Sequence, residues 1–135
     1  IVTPHTKEAA NLLYIKTEEV KNDPVAAAKE ISSSYNCTTV LKGHNTFICA
    51  SDLSSYICMN GNSGMATAGS GDVLAGITGA FAAKRQCEKN EKKISLAKTA
   101  ALAAYAHGKA GEAAEEKSSA SYVTASEIIR GLQSI

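Results

Sequence analysis

The residues from Ala68 to Asp72 combine two glycines, a serine and an aspartate directly before an apolar helical pattern. A helix N-terminus presents unpaired N–H groups and the positive end of the helix dipole, so phosphate can bind there. Gly69 and Gly71 allow the backbone to approach an anion closely and to adopt a positive φ, which residues with a Cβ resist. The spacing therefore predicts an anion-binding loop at the start of a helix.

Asp72 is the unusual member of this segment, because a carboxylate beside an anion site disfavours binding of the anion. A carboxylate can nevertheless act as a base that takes a proton from a hydroxyl attacking phosphorus. It can equally cap the helix, as aspartates near helix starts often do. The residues alone leave both roles of Asp72 open.

The elements that must position this loop are predicted from hydrophobic periodicity, turn residues and helix caps. Asn22 or Asp23 can cap a helix whose first turn holds Pro24, and Thr124 and Glu127 have the spacing of a capping box. Strands alternating with helices indicate an α/β layered domain. The predicted elements are a strand end at 1–4, helices at 6–15 and 24–31, strands at 38–42, 45–50 and 55–59 of which the last two form a hairpin, and helices starting near 72, 94 and 124.

The composition excludes several classes of protein. The chain has 135 residues, 44% of them hydrophobic, and a formal net charge of +1, so no bulk charge attracts it to nucleic acid. No apolar run approaches the roughly 20 residues of a membrane-spanning helix. The four cysteines lack CxxC spacing, so we expect no metal cluster but buried free thiols, and hence a reducing cytoplasmic location.

Five segments resemble the NAD(P)H-hydrate dehydratases of the ribokinase-like superfamily. Residues 62–76, with the sequence NSGMATAGSGDVLAG, resemble the family signature. Residues 3–8 resemble its Thr-Pro-His-x-x-Glu turn, and residues 40–46 resemble its Val-Leu-Lys-Gly-x-x-Thr segment. Residues 104–111 and 124–129 resemble its closing helices, so the likeness spans nearly the whole chain.

The resemblance implies a ribokinase-like α/β layered fold, with part of the sheet and its flanking helices present. It makes residues 1–135 the C-terminal, nucleotide-binding part of such a domain. It also implies the roles of individual residues. By this resemblance, Asp72 is the catalytic base, and the transferring phosphoryl group is held by Gly69, Ser70 and Gly71. The adenine nucleotide is contacted by Lys42, Gly43, His44, Asn45 and Thr46. The substrate is contacted by His5 and Asp72.

The implied reaction is the repair of hydrated NADH or NADPH by a carbon–oxygen lyase that uses ADP or ATP. Phosphorylating the ring hydroxyl of the 6S hydrate turns a poor leaving group into phosphate, whose elimination restores the dinucleotide. Mg²⁺ is expected from phosphoryl-transfer chemistry, although no carboxylate cluster in the sequence identifies its ligands.

Four residues have a structural interpretation beside the functional one. Without the family motif, Lys42 reads as a solvated strand end, and His5 as a residue that hydrogen-bonds its own turn. His107, on an alanine-rich helix, is expected to be a packed structural residue, and His44 to face solvent. The two methionines, at positions 59 and 65, are expected to fill the core or a loop.

Two rival functions remain. A kinase of the same superfamily, acting on a sugar or a vitamin precursor, would use the same anion hole and base. A noncatalytic adenine-nucleotide-binding module would need the loop without the base. The product formed separates the kinase from the dehydratase. The effect of Asp72→Asn on turnover separates either enzyme from the noncatalytic module.

The opening Ile1–Pro4 reads as the end of a buried strand with nothing before it, which predicts a piece of a longer domain. The preceding half would complete the sheet and wall the substrate pocket, so we expect this chain alone to bind nucleotide without turnover. A strand edge left open tends to become paired, which predicts a homo-oligomer.

Overall fold

The computed structural model describes residues 1–87, 93–118 and 123–135. The described residues form three short helices, a small sheet and three further helices in chain order. The elements are α1 (Thr6–Leu13), α2 (Thr17–Asn22), α3 (Pro24–Ser34), β1 (Thr39–Leu41), β2 (Thr46–Cys49), β3 (Ser55–Cys58), α4 (Ser70–Cys87), α5 (Leu96–Ser118) and α6 (Ala125–Gly131).

The three strands form an antiparallel sheet in the order β1-β2-β3, which confirms the predicted hairpin of β2 and β3 and adds β1 to it. The N-terminal segment runs parallel to β1 on its free side. Val2 N–H donates to Thr38 O over 2.9 Å, and Lys42 N–H donates to Pro4 O over 2.9 Å. The expected opening strand is therefore an extended segment joined to β1 by two isolated bridges.

The sheet is the middle of three layers, because successive strand residues point to opposite faces. Leu41 and Cys49 pack with α1 and α3 on one face. Val40 and Ile48, their neighbours in the chain, pack with α4 and α5 on the other. This arrangement confirms the predicted α/β layered fold. None of the helices in the described ranges is both long and apolar enough to cross a membrane.

Local capping signals place the helix starts as predicted. Asp23 Oδ1 accepts a hydrogen bond from Ala26 N–H over 2.9 Å, and Thr124 and Glu127 form the expected capping box. Two boundaries differ. Residues 17–22, where no helix was predicted, form α2. Helix α3 continues to Ser34, and Ser32 Oγ lies 2.9 Å from Ala28 O and 2.8 Å from Cys49 O.

Two predictions about sulfur-containing side chains were wrong in part. Cys49 and Cys58 are buried in strands as expected, and all four cysteines are free, but Cys87 is exposed at the end of α4. Met59 is 76% exposed because it follows the outer strand β3, whose first three residues are also exposed. Met65 packs under the glycine-rich segment against a cluster around Ala110 and Val123.

Candidate anion-binding site

Gly69 and Gly71, at the start of α4, must be glycine for two different physical reasons. Gly69 has a φ of +86°, as predicted, and a Cβ there would also lie 3.1 Å from the Ala125 Cβ. Gly71 does not have a positive φ, so that prediction was wrong: it lies inside the first helical turn. A Cβ at position 71 would lie 3.2 Å from Lys42 Nζ. Gly71 therefore makes room for an ammonium group.

Lys42 is carried to this point by the end of β1. Its side chain is 26% exposed, and its Nζ lies 3.9 Å from Glu8 Oε2. The solvated-strand-end interpretation is wrong for this residue, since its ammonium lies against the first turn of α4. An ammonium and the positive end of a helix dipole repel each other, and an anion between them would be attracted by both. The arrangement is therefore suited to phosphate.

His5 lies beside Lys42 through a parallel β-bridge. The His5 ring Nδ1 accepts from the Glu8 backbone N–H over 3.1 Å, and the His5 backbone N–H donates to Glu8 Oε2 over 2.7 Å. These two bonds form a capping box for α1. The turn-bonding interpretation of His5 is confirmed, and its contact with substrate stays a prediction. Glu8 was not predicted as a site residue, although it closes the Thr-Pro-His-x-x-Glu motif.

Asp72 is exposed in the first turn of α4. Val73 N–H donates to Gly69 O over 3.0 Å, so the helix begins at Ser70 and Asp72 is its third residue. An N-cap side chain belongs to the residue that precedes the first helical one, which Asp72 is not. Its position leaves the carboxylate at the surface of the loop, and its role as base stays a prediction.

The segment from Lys42 to Asn45 forms the turn between β1 and β2, and Thr46 is the first residue of β2. Gly43 and His44 are exposed, as expected for His44, while Asn45 and Thr46 are half-buried. The Lys42 side chain extends from this turn to Gly71 at the start of α4. The nucleotide contacts of all five residues stay predictions.

His107 connects helix α5 to the site, which was not predicted. Its Nε2 lies 3.3 Å from Ser70 Oγ, the first side chain of α4. Burial lowers the pKa of His107 below its usual range, hydrogen bonding with Ser70 opposes this, and the charge of Lys42 lowers it further. His107 is thus packed, as expected, and its hydrogen bond to Ser70 is the contact that the sequence did not predict.

Glu112, also on α5, supports the beginning of the glycine-rich segment. Its Oε1 accepts from Gly61 N–H over 2.9 Å, and its Oε2 lies 2.6 Å from Lys109 Nζ. The hydrogen bond from Lys109 and then that from Gly61 hold the pKa of Glu112 below its ordinary value. One residue on, Asn62 Nδ2 donates to Gly111 O over 3.1 Å. Polar contacts therefore fix the segment to α5.

Two glycines of α5 let the segment lie directly on the helix. A Cβ at Gly108 would lie 2.6 Å from Asn60 O, and a Cβ at Gly111 would collide with the Met65 side chain. Met65 thus fills a loop, as expected. The loop is consequently supported by close backbone packing as well as by hydrogen bonds.

Mg²⁺ requires oxygen donors that converge on one point. Among residues 1–87, 93–118 and 123–135, no three His, Cys, Asp or Glu side chains come together as a metal site. Mg²⁺ bound with a nucleotide is held chiefly by phosphate oxygens and water, with one or two carboxylates. No protein ligand set for the ion is therefore assigned.

Comparison with known proteins identifies the family. A family model described as NAD(P)H-hydrate dehydratase matches residues 1–134. The chain belongs to the NAD(P)H-hydrate dehydratase family. The resemblance stated from the motifs is thereby confirmed.

Relatives in this family come from distant organisms. An ADP-dependent (S)-NAD(P)H-hydrate dehydratase of Neisseria meningitidis is 39% identical over 116 residues, which cover 86% of this chain and 36% of that protein. A bifunctional NAD(P)H-hydrate repair enzyme of Leishmania major is 36% identical over 132 residues, covering 96% of this chain and 22% of that protein. The chain thus spans about a third or less of these relatives.

Solved structures confirm the ribokinase-like fold. The ADP/ATP-dependent NAD(P)H-hydrate dehydratase of Bacillus subtilis, co-crystallised with ATP and Mg²⁺, matches with a TM-score of 0.83 and 27% identity. The match covers 98% of this chain and 46% of that one. A hydroxyethylthiazole kinase of Pyrococcus horikoshii matches with a TM-score of 0.73 at 22% identity, which shows the shared fold alone.

Proposed function

We propose that residues 1–135 are the C-terminal, nucleotide-binding part of an enzyme that uses ADP or ATP to dehydrate the 6S hydrate of NADH or NADPH. The observation that carries this proposal is the approach of the Lys42 ammonium to Gly71 at the first turn of α4. The names of the Neisseria and Bacillus relatives support the reaction and the adenine nucleotide.

The charges of the described residues support the phosphate position. Lys42 carries a full positive charge, and the amides at the start of α4 carry partial positive charges that point the same way. Glu8 lies 3.9 Å from Lys42 Nζ, which is longer than a direct hydrogen bond, so the ammonium retains hydrogen atoms for another acceptor. A phosphate oxygen between Lys42 and Gly71 would satisfy both groups.

Asp72 is proposed as the base that removes the proton from the hydroxyl of the hydrated nicotinamide. Its exposed carboxylate lies one residue after Gly71, so a hydroxyl beside the bound phosphoryl group would be within reach of it. His5 is proposed to contact the substrate from the end of the N-terminal segment. Mg²⁺ bound with the nucleotide would neutralise phosphate charge.

A small-alcohol kinase is the second enzymatic candidate, and the fold shared with the Pyrococcus kinase favours it. The products separate the two reactions. A kinase leaves a stable phosphorylated alcohol, whereas a dehydratase releases free phosphate and restores the absorbance of reduced nicotinamide.

A noncatalytic nucleotide-binding module is the third candidate. This candidate predicts adenine-nucleotide binding without turnover. A cytoplasmic location is a further prediction, which the four free thiols support. A homo-oligomeric state is another, which light scattering tests.

The decisive experiment is calorimetric titration of AMP, ADP and ATP with Mg²⁺ into the chain and two lysine variants. Lys42→Met should weaken adenine-nucleotide binding by roughly tenfold or more, because a charge-assisted contact to phosphate is lost. Lys29→Met is the matched control, since Lys29 is exposed on α3. Equal affinity of the Lys42 variant and the control would refute the phosphate position.

The reaction is tested with hydrated NADH, ATP and measurement of phosphate release. Asp72→Asn should retain nucleotide binding and lower turnover by about 10²- to 10⁴-fold where turnover is measurable, because a general base is removed. Turnover that survives the substitution would exclude Asp72 as the base. A phosphorylated product without phosphate release would establish the kinase instead.

A further inference from the structure

The contact between His107 and Ser70 lies directly behind the proposed phosphate position. Ser70 is 8% exposed and is the first residue of α4. Its Oγ lies 3.3 Å from His107 Nε2 on α5. The next residue, Gly71, faces Lys42 Nζ. One hydrogen bond thus links α5 directly to the turn that would bind the anion.

We propose that His107 is a positioning residue, which fixes the first turn of α4 opposite Lys42 through its hydrogen bond to Ser70. The inference rests on the proposed function, because it assigns a role within that site. His107 acts on the phosphate only through Ser70 and the amides that follow it.

The need for such a tether follows from the residues of the loop. Of the three residues from Gly69 to Gly71, Ser70 alone has a side chain, so the other two cannot anchor the backbone through one. Glycine also has the greatest backbone freedom to lose on ordering. Ser70 N–H already donates to Thr67 O over 3.3 Å. The Ser70 hydroxyl is therefore the group through which α5 can hold this turn.

His107 is itself held in place by its helix. Its neighbour Gly108 packs against Asn60, and Ala103, Ala106 and Ala110 around it are buried. Burial and the charge of Lys42 lower the pKa of His107, so its imidazole is neutral at pH 7 and adds no further positive charge beside the ammonium. A neutral, half-buried hydrogen-bond partner on a packed helix is suited to fixing the position of the Ser70 side chain.

The first test follows amide hydrogen exchange by NMR in the ligand-free chain. His107→Leu and Ser70→Ala should each raise the exchange rates of Val73, whose N–H donates to Gly69 O, and of Leu74 by roughly tenfold, because one partly buried hydrogen bond is lost. His107→Gln should restore protection, because its amide nitrogen reaches the position of Nε2. Thr99→Val is the matched control, since it removes a buried hydroxyl that bonds Ser95 O on the same helix.

The second test measures the ATP affinity of the same variants. His107→Leu should bind ATP roughly tenfold more weakly than the wild type, with rescue by His107→Gln and no change in Thr99→Val. The double variant with Ser70→Ala should be no weaker than either single variant, because both remove the same contact.

The outcomes separate this inference from the proposed function. Unchanged exchange in His107→Leu overturns the positioning role whether or not nucleotide binds. Equal ATP affinity of His107→Leu and wild type overturns it as well. Lost protection with rescue by Gln, in a chain that binds no ATP at all, supports the tether and counts against the proposed nucleotide site of this chain.

Discussion

Helices α4 and α5 are both rich in glycine and alanine, yet the glycines in the middle of α4 and those of α5 have opposite surroundings. No atom of the described residues lies within 4 Å of a Cβ built on Gly76 or Gly79 of α4. A Cβ on Gly108 of α5 would lie 2.6 Å from Asn60 O, and one on Gly111 would collide with Met65. The first helix exposes a smooth surface, whereas the second uses its glycines to hold the loop that precedes α4.

The difference shows that composition does not reveal which helix supports the site. α5 contributes a continuous buried row from Ala97 to Ala114, while the buried residues of α4 lie within its first nine positions. α5 is therefore the support, and α4 carries the anion-binding turn at its first residue. The following substitutions test this division.

The largest effect is expected from Gly108→Ala. The added Cβ meets the backbone of Asn60, which cannot rotate away as a side chain can, so we expect a loss of roughly 2–3 kcal/mol in the free energy of unfolding. Urea denaturation followed by circular dichroism measures it. A variant as stable as the wild type would show that the loop does not lie on α5.

A smaller loss is expected from Glu112→Gln, which weakens the contacts with Gly61 N–H and Lys109. Hydrogen bonds to a charged group predict a cost of about 1–2 kcal/mol at pH 7. The folded-state pKa of Glu112 is lowered, so its contribution is present above the ordinary value of 4.5 and lost as pH falls through the folded pKa.

Urea denaturation of Glu112→Gln and wild type at pH 7 and at low pH measures this contribution. Glu116→Gln, on an exposed position of the same helix, is the control. A difference between Glu112→Gln and wild type that persists unchanged at low pH would contradict the ionised carboxylate as its source.

The opposite sign is expected from Gly79→Ala on α4. The new methyl group enters open space in a helical residue, so stability should rise by about 0.5–1 kcal/mol. A thermal unfolding midpoint measured beside that of Gly108→Ala gives the comparison directly. Destabilisation by Gly79→Ala would mean that this face of α4 is covered in solution.

The smallest effect is expected from the titration of His107. Its folded-state pKa lies below the ordinary 6.5, so the unfolded chain binds more protons between these two values. Wild-type stability should therefore fall as pH is lowered from 7 through 6.5 toward the folded pKa, and His107→Gln should lack this component. Chemical denaturation across that range checks it, and parallel curves for the two proteins would contradict it.

Much of the fold was predictable because its signals are local. Asp23 before Pro24, the Thr124 and Glu127 capping box, and the alternating residues of the hairpin each involve neighbours within a few positions. The exposure of Met59 and Cys87 was not predictable, because it depends on what lies across from an outer strand or a helix end. The family was recognisable from motifs that remain contiguous in the chain.

The sequence by itself determined the layered class of the fold, the loop with glycines before a helix, and the family. Only the tertiary structure decided that Gly71 faces Lys42, that His107 holds Ser70, and that Glu112 supports Gly61. The last two pairs are separated by 37 and 51 residues, and no local propensity or spacing encodes such contacts. The contacts of Gly71 and Ser70 arise because the end of β1 and the middle of α5 both lie against the first turn of α4.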